Sequence, residues 1–239
     1  MRSFVVSAVI IGAAIASAAC SAKSERDPGP MAAKDYSVGD FKRIESAGAY
    51  DVTVRTGSAP SVRAEGPQNI LDRLVIEVKG DQLQIHTKDG GNLHWGKTPP
   101  VKIAITVPAL HGATLAGSGT LSVDKVVADD FKGTIAGSGD LSLPSVKAKS
   151  VDFEIAGSGS ASIGGEAETA KYTIAGSGEL DASGLKSKDV RLTIAGSGGV
   201  NANATGTVKG EILGSGEARI TGGAKCSVDK MGSGSIVCA

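Results

Sequence analysis

One tripeptide constrains this chain more than anything else in it. Gly-Ser-Gly begins at Gly117, Gly137, Gly157, Gly176, Gly196, Gly214 and Gly232, at intervals of 20, 20, 19, 20, 18 and 18 residues. A motif returning at this period describes a stacked array of small units, each burying its apolar side only against its neighbours. Aligned on the first glycine, the copies fall into rows. Two residues before it stand Leu115, Ile135, Ile155, Ile174, Ile194 and Ile212, and Lys230 ends the row. Six before it stand His111, Phe131, Val151, Ala170, Val190, Val208 and Cys226. The rows four and six after it are apolar too, from Leu121 to Ile236 and from Val123 to Cys238. Polar rows lie between them. Three before the glycine come Thr114, Thr134, Glu154, Thr173, Thr193, Glu211 and Asp229. Alternation in twos is the period of a strand with one buried face.

Two short arms joined by Gly-Ser-Gly pair either as an antiparallel meander or as a parallel solenoid with like above like. Rows of like residues over seven copies favour the solenoid, an all-β stack with coils of ~19–20 residues rising about 4.8 Å each. Gly-Ser-Gly then marks the corner: glycine admits positive φ, and the serines are predicted to form a hydrogen-bonded ladder. Composition agrees. The chain holds 34 glycines, a dose that penalises helix by about 1 kcal/mol at each site. Its eight aromatics are too few for an aromatic-lined cofactor pocket, so no cofactor is expected. Lys+Arg and Asp+Glu number 25 each, which gives no electrostatic case for nucleic acid.

Residues 36–112 lack the tripeptide but are rich in β signals. Segments 49–55, 61–64, 74–78, 82–87 and 101–107 alternate or carry β-branched residues, and 67–73 has the look of a short helical turn. This part forms either irregular first coils or a cap, which an open solenoid end requires. The repeat solenoid proper spans 113–239.

The amino terminus is an address. Met1 and Arg2 precede an apolar run over 4–19 that ends in small residues, the layout of a secretory signal over 1–19. Ser17, Ala18 and Ala19 before Cys20 resemble a bacterial lipobox, with Ser17 where Leu is usual. Lipidation of Cys20, and with it a membrane partner, is favoured over plain cleavage after Ala18 or Ala19. Residues 20–35 are polar and broken by Pro, and are expected to be a flexible linker.

Residues 38–238 resemble a bacterial family labelled putative auto-transporter adhesin, head GIN domain. The resemblance rests on RIESAGAYDVTV, then ILDRLVIEVKGDQLQIHTK, then VKIAITVPAL leading into repeated AGSG. It implies a right-handed parallel β-helix that is exported and often lipid-anchored, and it carries over no catalytic residues.

The remaining motifs point to structure. Cys226 and Cys238 fall six before and six after the last corner glycine, in two inward rows of one terminal coil, in an exported chain. A disulfide is favoured there over buried free thiols or a metal or redox role. His86, His94 and His111 have no metal-motif spacing, and His111 stands in a core row. No Gly-Lys-Ser/Thr follows any corner, as a phosphate cradle requires, and no His and acid accompany any corner serine, as a nucleophile requires. The residue after each corner varies too much for a regular calcium cage. A glycosidase is carried only by residue type, through Asp129–Asp130 or Glu166 and Glu168. Leu213 and Met231 form either an apolar patch for a partner or contacts with the C-terminal segment. The function expected is therefore non-catalytic: a lipid-anchored, structural or adhesin-like solenoid of the cell envelope. It would bind through polar rows that include Thr134, Thr173 and Thr193, with Trp95 as a further contact. The alternative is a periplasmic module binding a glycan or an envelope protein through the amino-terminal part.

Overall fold

The computed structural model describes residues 29–88 and 100–239. The strands run β1 (Met31–Tyr36), β2 (Arg43–Ala47), β3 (Tyr50–Thr56) and β4 (Ser61–Pro67), then one helical turn, α1 (Gln68–Leu71). After it come β5 (Leu74–Lys79), β6 (Gln82–Thr87), β7 (Val101–Val107), β8 (Gly112–Gly117) and β9 (Thr120–Val123). The repeats supply β10 (Val126–Gly137), β11 (Asp140–Gly157), β12 (Ser160–Gly176), β13 (Glu179–Gly196) and β14 (Gly199–Ala204). They end with β15 (Thr207–Gly214), β16 (Glu217–Thr221), β17 (Lys225–Met231) and β18 (Ser235–Cys238). From β8 onward every pairing is parallel and joins equivalent residues, so Ile135, Ile155, Ile174 and Ile194 are direct partners down the stack. All four are buried. The fold is a β-solenoid with coils of about 20 residues.

The rows two before, four after and six after the corner are buried until the terminal coil, where Lys230, Ile236 and Cys238 meet the open end. A further inward row, four before the corner, holds the bulk of the core. It runs Ile44, Ala113, Gly133, Phe153, Tyr172, Leu192, Gly210 and Val228. Its three largest members in succession, Phe153, Tyr172 and Leu192, are flanked by Gly133 on one side and Gly210 on the other, which supply no side chain to the thin core. A Cβ on Gly133 would overlap the Phe153 ring, and one on Gly210 would run into the Leu192 backbone.

Stacking order departs from chain order at the amino-terminal end. β2 lies between β6 and β8, and β3 lies between β7 and β9. The first coil in the chain is therefore the second in space. Antiparallel strands close the stack beyond it: β5 on β6, then β4 on β7 and β1 on β4. The amino-terminal part supplies both readings at once, coils and cap. Residues 31–35, expected within the flexible linker, are ordered in β1. Polar composition does not prevent this, because the energy comes from main-chain pairing with β4 and an ion pair of Asp35 with Arg63 at 3.1 Å. Charged side chains on this outermost strand discourage further edge pairing.

His111 is exposed, against its place in a core row. Leu110 fills the core at that point, and His111 meets the stack through its backbone, donating to Lys42 O at 2.7 Å.

Two buried hydroxyls, of Tyr172 and Ser187, face one another without the geometry of a hydrogen bond. An unsatisfied buried hydroxyl costs about 1–3 kcal/mol. Tyr172→Phe is accordingly expected to leave stability unchanged or raise it by about 1 kcal/mol, read from a urea midpoint. Burial raises the Tyr172 phenol above its ordinary pKa and pushes Tyr50 up to about 12. Below pH 10 both are neutral, folded or unfolded. Above it the unfolded chain ionises first, so stability falls as pH rises from 10 to 12. Melting temperatures across that window check this, and Tyr172→Phe should flatten part of the decline.

Candidate functional site

The corners fix where every outward row lies. The first glycine of each repeat corner has φ between +118° and +136°, which L side chains rarely adopt. At Gly117, a Cβ would sit 2.6 Å from Gly48 O, and the other corners are as tight. The third residue is tight as well: a Cβ on Gly159 would lie 2.6 Å from Gly139 O and 2.7 Å from Ile135 Cγ2. The tripeptide is thus a stacking requirement. The ladder it makes is main-chain, with Ser138, Ser158, Ser177, Ser197 and Ser215 N–H each donating at 2.9 Å to the corner glycine one coil earlier. The expected side-chain ladder does not form; the serines are exposed. Sequence reading missed one corner. Gly48, with φ +150°, heads the same ladder, and Tyr50 stands where later corners have their second glycine. The signal was present as the Ala-Gly of RIESAGAYDVTV, set among the same alternating residues.

Cys226 and Cys238 form a disulfide across the terminal coil, with Cα atoms 6.6 Å apart. Both residues are exposed, because among the described residues no strand pairs with the outer side of β17 or β18. Replacing both by Ala is expected to free about 3 kcal/mol of loop entropy in the unfolded terminal coil. In a stack of nearest-neighbour contacts that loss stays local. Amide exchange in β17 and β18 should speed up by about a hundredfold, with β10–β13 unchanged.

Thr134, Thr173 and Thr193 lie in one half-buried outward row, with Glu154 between the first and second. Two rows along runs Lys132, Asp152, Lys171, Arg191 and Lys209, all partners in register. In the earlier coils, opposite charges answer one another. Lys132 Nζ lies 3.9 Å from Glu154, Lys149 Nζ 3.0 Å from Asp129, and Lys171 Nζ 3.3 Å from Asp152. Glu166 sits between Lys147 and Lys186 in the ladder. The acidic residues weighed for glycoside chemistry, Asp129, Asp130, Glu166 and Glu168, are all exposed, and Asp129 and Glu166 stand among lysines. A shallow groove of about 350 Å³ opens beside Lys171, Arg191 and Lys209. Asp189 within it accepts from Thr207 N–H at 3.0 Å and Thr207 Oγ1 at 2.6 Å. Those bonds, with Lys188 and Lys209 nearby, hold its carboxyl below the usual range.

Met231 and Leu213 are exposed, so neither is packed away by the C-terminal segment. Cys20, His94 and Trp95 lie outside the described residues. Among the described residues, no three His, Cys, Asp or Glu are grouped to hold a metal ion, and no helix is long and apolar enough to cross a membrane.

Among the described residues, a closed apolar core with polar side chains on outward ladders defines a β-solenoid. The chain belongs to the family described as "Putative auto-transporter adhesin, head GIN domain", which it matches over residues 40–224. Solved structures share the fold. A putative adhesin from Bacteroides fragilis is 23% identical with a TM-score of 0.80, over 88% of this chain and 97% of that one. A "Putative lipid binding protein" from Parabacteroides distasonis is 25% identical with a TM-score of 0.72, over the same shares. A putative adhesin from Parabacteroides merdae is 20% identical with a TM-score of 0.70, again over 88% and 97%. No curated protein matches the chain.

Proposed function

We propose that this protein is an exported, lipid-anchored, non-catalytic scaffold of the cell envelope, which binds through its outward ladders as an adhesin does. The observation that carries the reading is the register itself. The outward hydroxyl and charged rows place one polar side chain at the same position in successive coils, on a rod capped at one end and cross-linked at the other. Such a surface gains affinity from many weak, evenly spaced contacts rather than from one pocket. The lipobox-like residues before Cys20 support the anchor. Mass spectrometry of the protein from native membranes tests it: a diacylglyceryl adduct on Cys20 is expected, and an unmodified Cys20 or an amino terminus at Ala19 removes it. Beads coated with the purified protein should retain envelope or matrix material. Retention no greater than on bare beads would defeat the adhesive role.

A further inference from the structure

Charge balance breaks at one place on the rod. From Lys132 to Lys171 the row alternates in sign, but Lys171, Arg191 and Lys209 are three cations on consecutive coils. Like charges directly opposite in a sheet repel. Lys171 has Asp152 beside it; among the described residues Arg191 and Lys209 have no ion-pair partner. The carboxylate in the groove, Asp189, is committed to Thr207. These cations line the shallow groove together with the hydroxyl residues Ser150, Thr169 and Thr207.

We infer that this groove is a binding site for an acidic polysaccharide chain lying along the solenoid axis, its carboxylates on Arg191 and Lys209. Three features select that occupant. The cations recur once per coil, about 4.8 Å apart, so a linear polymer with regularly spaced acidic groups meets one cation at each step. Hydroxyls along one wall match sugar hydroxyls. The basic strip is only one row wide on a chain of zero formal net charge, too narrow for a nucleic-acid duplex or an anionic membrane to find a broad footing. Arg191 supplies a planar fork for a carboxylate, and Lys209 a mobile point charge beside it.

The inference rests on the reading of the chain as a binding scaffold and gives it a ligand class. The test uses the purified protein with a polygalacturonate oligosaccharide, and with its methyl ester as the uncharged control, by titration calorimetry at low and high salt. Binding of the acid form, none of the ester, and weakening by salt are expected. Arg191→Ala and Lys209→Ala should each weaken binding about tenfold, the size of a hydrogen bond to a charged group. The double variant should abolish it, while Lys79→Ala, away from the groove, leaves it unchanged. Both substituted side chains are exposed, so an unaltered melting temperature is expected and certifies the fold. Equal affinity for acid and ester, undiminished binding by the folded double variant, or binding to anionic vesicles in place of the oligosaccharide would each overturn the groove. If one of these overturning results is found while beads coated with the parent protein still retain envelope material, the scaffold reading survives and the groove assignment falls alone.

Discussion

Gly157→Ala should cost about 2–5 kcal/mol, although it adds a single methyl group. Two penalties combine. The φ of +130° is a conformation that an L side chain rarely adopts, and the new Cβ would press on Gly137 O of the preceding coil. Gly137 belongs to the same tight ladder, whose rise per coil is fixed by strand hydrogen bonding, so the backbone has little freedom to retreat. The defect lies mid-stack, where each coil is held only by its two neighbours, so both interfaces weaken. The urea midpoint should fall sharply, while Ser158→Ala next door, with its exposed side chain, should stay within about 0.5 kcal/mol of the parent. A Gly157→Ala protein as stable as the parent would mean that the corners do not stack closely.

Filling the space opposite Phe153 should be nearly as damaging. Gly133→Ala drives a methyl group into a buried ring whose other neighbour in the row is the buried Tyr172, so the ring has no free side to turn toward. Overpacking of this kind costs about 1–3 kcal/mol. Phe153→Leu alone also destabilises, by leaving a void. Together the two changes should cost less than their sum by at least about 1 kcal/mol, because the smaller side chain accommodates the methyl. Strict additivity in denaturant titrations would show that these residues do not share a layer.

Much of this was readable in the residues. Rows of Ile and Leu at fixed offsets from a glycine marked the inward faces, and the two cysteines in one coil marked the bridge. The row containing Gly133, Phe153 and Tyr172 was not readable. It mixes the smallest and largest residues, so no single position looks like core; only the neighbouring coil shows that a missing side chain in one accommodates a ring in the next. His111 misled for a related reason. Its offset matched a core row, but the neighbouring Leu110 takes the interior place while His111 faces outward. β1 escaped notice because its stability is main-chain pairing to β4, which leaves no hydrophobic pattern.

What the sequence settled by itself is the coil: its length, its corner and the faces it buries. Those depend on local backbone sterics and on like residues meeting like, and both are written in every repeat. Tertiary structure alone decided that β2 and β3 slip between β6–β7 and β8–β9, that antiparallel strands close one end, and that Lys171, Arg191 and Lys209 line a common groove. Such outcomes depend on which distant segments share hydrogen bonds, and a strand edge accepts a partner from anywhere in the chain that can reach it.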